Sequence, residues 1–246
     1  MVKNRVEKEM AAVLKKEEKL HKKALRQQNS EWKEQLEGKI PEKSRKGLEE
    51  AFIKAFEIVF TKGTSVIEKS FKKEDIPDEY KIHDYAIRQR GKKKDFQALR
   101  GTVRKSEFTN TVTTFAEGVG LGILGIGLPD IILFVGMLLR GIYQTAAKYG
   151  FDCEDEFEKV FILRMMETSL QKGEAWEKGD ANVEAFLQNV VSDISEEEIK
   201  QQIRKTAETF AMDMLIMKFI QSLPLVGVVG GISNPYYYRK IMDYVE

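Results

Sequence analysis

The 246-residue sequence predicts an all-α protein built around two glycine-rich helix–Leu-Pro–helix hairpins, with a long helical arm at its N-terminus. Three observations favour this fold class. Apolar residues recur at the three- and four-residue spacing of amphipathic helices. No segment shows the sustained alternation or hairpin turns of a sheet. Gly and Pro fall between the periodic segments, where helices end and begin. We therefore divide the chain into a charged arm, residues 1–38, and an all-α domain, residues 39–246.

The arm is a charged helix with a thin apolar stripe, which predicts packing on one surface or self-association. The stripe consists of Val6, Met10, Val13, Leu14, Leu20 and Leu25. Gly38 ends the arm, and Pro41 suits the first turn of the next helix. That second helix is expected to bury Leu48, Phe52, Phe56, Val59 and Phe60. The following segment, residues 72–95, is irregular and predicts a loop or a short helix.

One stretch, residues 114–143, is unusually apolar for this chain. Only three charged residues interrupt it, Glu117, Asp130 and Arg140. A transmembrane helix needs about 20 mostly apolar residues, whereas Asp130 divides this stretch into twelve uncharged positions before it and nine after it. Pro129 breaks the preceding helical turn, and a carboxylate beside it favours a new helix start. The stretch therefore predicts two half-length helices joined at a turn rather than one crossing.

The glycines of this stretch leave two interpretations open: a tightly packed core hairpin, or an apolar groove that contacts lipid or a membrane protein. Gly118 and Gly122 have the spacing that lets two backbones approach closely. The candidate contact residues are Gly118, Gly122, Gly125, Leu128, Pro129, Asp130, Tyr236 and Tyr237. Glu117 and Arg140 are candidate buried charges that would pair across the hairpin, whereas an unpaired Glu117 would indicate function.

The C-terminal segment repeats the pattern of the apolar stretch. With the chain shifted by 95 residues, eight residues coincide, among them Thr-Phe-Ala at 114 and 209 and Leu-Pro at 128 and 223. This predicts an internal duplication. Farther along, Gly150 is expected to end one helix and Asp152 to cap the next. That next helix carries an apolar stripe of Phe157, Phe161 and Met165. Asp180 is expected to cap a short helix, and Ser195 with Glu198 forms a capping box.

Charge is balanced overall at +1, which gives no signal for nucleic-acid binding. The block at residues 88–105, however, carries eight Lys or Arg against one Asp. Such a block suits anionic lipid headgroups or an acidic partner, although a solvated loop would look the same. The candidate electrostatic docking residues are Arg88, Arg90, Lys92, Lys93 and Lys94. The chain has one cysteine, and its first residues lack the apolar core of a signal peptide. We therefore expect an intracellular protein.

No residues are arranged for catalysis, for a metal or for a cofactor. His21 and His83 lie in charged segments without Cys or His at metal spacing. Cys153 has acidic neighbours, which disfavour a reactive thiolate. The glycines of "GVGLGILG" are neither preceded by a predicted strand nor followed by Lys, so they form no nucleotide-binding loop. We therefore expect no cofactor and no enzyme activity; a lipid-directed enzyme using Glu117 and Asp130 is the remote alternative.

Together these motifs resemble those of the EcsC family of bacterial proteins. The resemblance covers residues 30–246 and rests on "IPEK" at 40, "KGTS" at 62, "TFAEG" at 114, "GLPD" at 127, "KYGFD" at 148 and "LPLVGVVGGISN" at 223. It implies an all-α cytoplasmic protein linked to membranes or transport, because the family's namesake is encoded beside the subunits of an ABC transporter. It implies no catalytic residues.

From these observations we expect a non-enzymatic accessory protein on the inner face of the cell membrane. Its partner would be the membrane surface or a membrane protein, with ABC transporter subunits implied by the resemblance. The alternative is a soluble protein that binds lipid or another hydrophobic ligand in a cavity between the hairpins.

Overall fold

The computed structural model describes residues 2–26, 36–60, 76–104, 128–151, 155–189, 194–220 and 234–246, and these residues contain nine helices and no strand. The all-α prediction is confirmed. The helices are α1 (Val2–Arg26), α2 (Glu42–Ile58), α3 (Ile76–Gln89), α4 (Lys93–Arg104), α5 (Leu128–Lys148), α6 (Glu156–Leu170), α7 (Gly173–Gln188), α8 (Glu196–Ile220) and α9 (Asn234–Val245). The glycines at 118–127 and the C-terminal "LPLVG" at 223–227 lie outside the described residues, so the hairpins and the duplication stay predictions.

The core lies where α2, α5 and α8 meet. Its centre is an aromatic cluster made of Phe52, Phe56, Phe134 and Phe210, all at most 1% exposed. The ring centroids of Phe52 and Phe210 are 5.3 Å apart, and the ring of Phe134 meets Phe210 edge-on at 6.1 Å. The predicted buried face of α2 is thereby confirmed, with Phe60 packed at its margin. Three helices thus share one aromatic centre.

Helix α6 lies between α7 and α8 and is apolar on both sides. Its buried positions include Val160, Leu163 and Met166, whereas the predicted stripe of Phe157, Phe161 and Met165 is half-buried. Phe157 instead stacks on Phe186 of α7, with ring centroids 4.4 Å apart. The most buried positions of α6 are therefore rotated away from the predicted stripe. A helix that packs against two neighbours has no single apolar face.

Two polar contacts join α6 to α8. The Thr206 hydroxyl donates to the carbonyl of Leu163 at 3.2 Å, and the Gln202 amide donates to the Glu167 carboxylate at 2.6 Å. Burial raises the pKa of Glu167, while the hydrogen bond from Gln202 opposes that rise. Buried polar groups are thus given partners across the interface, as their desolvation requires.

The predicted helix caps can be compared with the structure at three positions. The Ser195–Glu198 capping box is confirmed, because the Ser195 N–H donates to Glu198 at 3.0 Å and the Glu198 N–H donates to the Ser195 hydroxyl at 3.3 Å. The cap of α6 is Asp155, which accepts from the Phe157 N–H, and Asp152 lies outside the described residues. The prediction for Asp180 was wrong, since it lies inside α7, which begins at Gly173. There Asp180 serves tertiary packing rather than a helix end.

The second half of the arm docks on α7 and α9. The ring of His21 packs edge-on against Trp176, with centroids 5.5 Å apart, and Lys16 forms an ion pair with Glu246 at 3.6 Å. The first half carries the apolar stripe in solvent, because Val6, Met10, Val13 and Leu14 are 41–57% exposed. Within its described residues, the arm therefore packs on one surface through the second half of α1.

Gly150 ends α5 in a conformation that favours glycine, and replacing it with Ala is expected to destabilise the protein. Its φ is +85°, and an added Cβ would lie 2.7 Å from the ring of Tyr80. We expect Gly150→Ala to lower the free energy of unfolding by about 1–3 kcal/mol. In contrast, Gly47→Ala, inside α2 with nothing within 4 Å of an added Cβ, should raise it by about 0.5–1 kcal/mol. Denaturant unfolding measures both; equal effects of the two substitutions would contradict this account.

Candidate functional site

The described part of the apolar stretch is α5, which begins at Leu128 with Asp130 exposed in its first turn. Among the described helices, one is long and apolar enough to cross a membrane, namely the segment Asp130–Lys148, with a mean hydropathy of 1.3. However, 67% of that segment is buried inside the protein. Such burial is the environment of a core helix. Gly118, Gly122, Gly125 and Glu117 lie outside the described residues, as do the side chains of Leu128 and Pro129.

The predicted buried charge of Arg140 lies next to α9. Burial lowers the pKa of the half-buried Arg140, and the nearby Tyr238 opposes that shift. The neighbouring Gly141 lies so close to Tyr238 that an added Cβ would be 2.6 Å from its hydroxyl. Because Glu117 lies outside the described residues, the predicted pairing of Glu117 with Arg140 stays a prediction.

The two candidate tyrosines of α9 have opposite environments. Tyr236 is 42% exposed, whereas Tyr237 is fully buried and meets the Phe134 ring edge-on at 6.0 Å. Adjacent residues of a helix point about 100° apart, so Tyr237 can face the core while Tyr236 faces solvent. Tyr237 is therefore a core residue rather than a membrane contact, and Tyr236 remains accessible.

A buried polar contact joins α8 to α9 through Asp213 and Tyr237. Burial raises the pKa of Tyr237 far above its usual value, and the charge of the nearby Asp213 carboxylate adds to that rise. Neither the hydroxyl nor Asp213 Oδ2 has an aligned hydrogen-bond partner within the described part of the chain. Burial first, and the charge of Asp213 second, therefore keep the tyrosine protonated.

Residues 72–95 were expected to form a loop or a short helix, and their described part forms α3, a turn and the start of α4. The basic block runs from the last residues of α3 through that turn, and its other described residues lie in α4. Gly91 adopts a φ of +53° and ends α3. The buried Asp95 carboxylate accepts from the Lys92 backbone N–H at 3.0 Å and from the Arg90 guanidinium at 2.9 Å. These contacts, made within the first turn of α4, hold the chain in a defined bend. We call Arg88, Arg90, Lys92, Lys93 and Lys94 the basic turn.

The five cations of the basic turn differ in their availability. Arg88 pairs with Asp84 at 2.7 Å, which raises the pKa of Arg88, and Arg90 is held by Asp95. Lys92, Lys93 and Lys94 are exposed, and their side chains form no ion pair within the described residues. Three neighbouring ammonium groups are thus presented to solvent at one helix start, where the helix dipole does not compensate their charge.

Two apolar side chains lie one helical turn ahead of the basic turn, and they were missed by the sequence analysis. Ile82 and Tyr85 of α3 are each 66% exposed. Their three-residue spacing places them on the same face of the helix. The same helix carries Tyr80 and Ile87, which are half-buried, so composition alone does not single out the exposed pair. We call Ile82, Tyr85 and the basic turn the docking patch.

A cleft of about 430 Å³ opens between the arm and α9. Its walls come from α1, from the junction of α6 and α7, and from one face of α9. Trp176 lies against it and is held between His21 and Tyr244, both in edge-on contact. Sequence analysis missed this cleft, because its residues come from three separate parts of the chain.

Comparison with known proteins places the chain in a family. A model of the EcsC protein family matches residues 4–246. The chain belongs to the EcsC family. This match begins at residue 4 and includes most of the arm, whereas the motif resemblance begins at residue 30. A second comparison finds similarity to Protein EcsC of Bacillus subtilis (strain 168), 27% identical over 150 residues. That similarity covers 58% of this chain and 60% of the relative. No solved structure matches the chain.

The EcsC-family chain also contains an acidic cavity of about 350 Å³ beside the α6–α7 junction. Its acidic residues are Glu37, Glu49, Glu208 and Asp213. Arg45 and Lys172 also line it and offset part of this charge, and Arg45 forms an ion pair with Glu49 at 3.2 Å. In the seven described segments, no three His, Cys, Asp or Glu side chains come together in a way that could hold a metal ion.

Proposed function

We propose that this EcsC-family protein is a non-enzymatic accessory protein that docks peripherally on an anionic membrane surface at the inner face of the cell membrane. The docking patch carries this proposal. It combines three exposed lysines at the start of α4 with two exposed apolar side chains of the preceding helix, one of them a tyrosine. Each cation near an anionic leaflet contributes about 1 kcal/mol, and an apolar ring suits the interfacial layer.

The burial of α5 supports docking rather than spanning. The segment that could cross a bilayer provides the wall against which α2 and α9 pack. Surface attachment leaves these contacts in place. An integral partner, such as the ABC transporter subunits that the family resemblance implies, would then bring the protein to a specific place on the membrane.

Vesicle flotation tests the proposal. We expect the protein to float with vesicles containing 30% phosphatidylglycerol at 50 mM salt, and to stay in the dense fraction with pure phosphatidylcholine. At 1 M salt the Debye length falls to about 3 Å, so binding should drop sharply. Protein that stays in the dense fraction with anionic vesicles at low salt would overturn the proposal.

A further inference from the structure

The cleft between the arm and α9 has the size and the walls of a small-molecule site. Its volume of about 430 Å³ lies within the range of roughly 300–1,000 Å³ that is typical of ligand pockets. One wall is the second half of α1, which contributes Leu20, Lys23 and Ala24. The opposite wall is a single face of α9 that begins at Tyr236 and ends at Tyr244.

Cations outnumber carboxylates among the lining residues. Lys23, Arg239 and Lys240 line the cleft together with a single carboxylate, Asp243. Lys240 donates to the carbonyl of Leu170 at 3.0 Å, at the C-terminal end of α6. Lys23 and Arg239 are exposed and make no ion pair within the segments that the structure describes. Two cations from different helices therefore line one space, and neither forms an ion pair with the Asp243 carboxylate that lines it too.

Apart from Ser169 and Gln171, most of the remaining lining is aliphatic or aromatic, and its aromatic wall is held by side-chain contacts. Leu20, Ala24 and Trp176 contribute aliphatic and aromatic surface. Trp176 meets the Tyr244 ring edge-on, and the Tyr244 hydroxyl donates to the Asp180 carboxylate at 2.6 Å. Because this hydrogen bond and the His21 ring both fix the aromatic wall, the cleft is preorganised for a ligand with an apolar part.

We infer that this cleft binds a phosphate ester, with the phosphate held by Lys23 and Arg239 and the ester group against Trp176. An arginine fork and a lysine from two helices are the usual means of holding phosphate oxygens. The same chemistry is offered by a phospholipid headgroup and by a soluble phosphate ester. The site uses no residue of the docking patch, so it does not depend on membrane docking.

Tryptophan fluorescence can test this site directly, because Trp32 is the only other tryptophan of the chain. In a Trp32→Phe background, Trp176 reports the cleft alone. Dihexanoyl phosphatidylglycerol, used below its micelle concentration, and glycerol phosphate are the two probes. Saturable quenching by the lipid alone would assign a lipid headgroup, and equal binding of both probes would assign a soluble ester. No saturable change with either probe would overturn the inference.

Charge variants separate a real site from general attraction. Lys23→Gln and Arg239→Gln should each weaken binding about tenfold, the effect of losing a charge-assisted hydrogen bond. Lys22→Gln is the matched control, since Lys22 pairs with Glu18 and lies outside the cleft. Asp243→Asn should strengthen binding, because it removes the opposing carboxylate. Equal loss with Lys22→Gln, or weaker binding with Asp243→Asn, would contradict a phosphate site.

Discussion

Replacing Lys92, Lys93 and Lys94 together with Gln is expected to release the protein from anionic vesicles at low salt. These lysines are exposed and hold no protein carboxylate, so their charge is available to lipid. At about 1 kcal/mol per cation, the triple substitution should weaken binding roughly 100-fold. Flotation and a vesicle titration at 50 mM salt measure this loss. The fold should be unaffected, because none of the three side chains is buried.

A matched control distinguishes the docking patch from the overall charge. Lys39, Lys43 and Lys54 are also exposed, and their replacement with Gln changes the net charge equally. If docking depends on the patch, this control should bind almost as well as the unmodified protein. Ile82→Ser with Tyr85→Ser should reduce the binding that remains at high salt, since apolar contact is not screened. If both triple substitutions weakened vesicle binding equally, docking would depend on the overall charge and not on the docking patch.

Phe210→Ala should be the most destabilising single substitution among those considered for this fold. The Phe210 ring is fully buried and contacts rings from both α2 and α5, so its removal leaves a cavity between three helices. Such truncations cost about 3–5 kcal/mol, which for a chain of this length corresponds to a fall in Tm of about 6–20 °C. Thermal and denaturant unfolding provide the measurement.

The control for this substitution is Phe151→Ala. Phe151 is 52% exposed, so its truncation should change the free energy of unfolding by only about 0.5 kcal/mol. A loss below about 1 kcal/mol for Phe210→Ala would mean that the aromatic cluster does not hold α2, α5 and α8 together.

The fold class and several helix faces could be predicted because they depend on local periodicity. The face of α2 and the capping box of α8 depend on spacings of three and four residues, which the sequence displays directly. Asp180 could not be assigned in this way, because packing against Tyr244 overrides its local preference for a helix start. The burial of Tyr237 could not be predicted for a related reason, because periodicity does not say which side of α9 meets the core.

The candidate site depends on relations that a single sequence does not contain. The basic turn was visible as composition, but its bend depends on the burial of Asp95 under Arg90 and Lys92. The cleft combines Lys23, Trp176 and Arg239, which are far apart along the chain. No periodic pattern links such residues, so only the packing of α1 against α7 and α9 reveals them.

Because α5 is buried in the core, it cannot lie in the core and in a lipid bilayer at the same time. Moving it into lipid would withdraw Phe134 from Phe52 and Phe210 and would leave α9 without the surface that covers Tyr237. Lipid would stabilise the apolar surface of α5 no more than the core already does, because hydrocarbon tails and buried side chains are similar solvents for an apolar helix. A membrane-crossing form would therefore be a second fold of the chain, separated from this one by the dismantling of its centre.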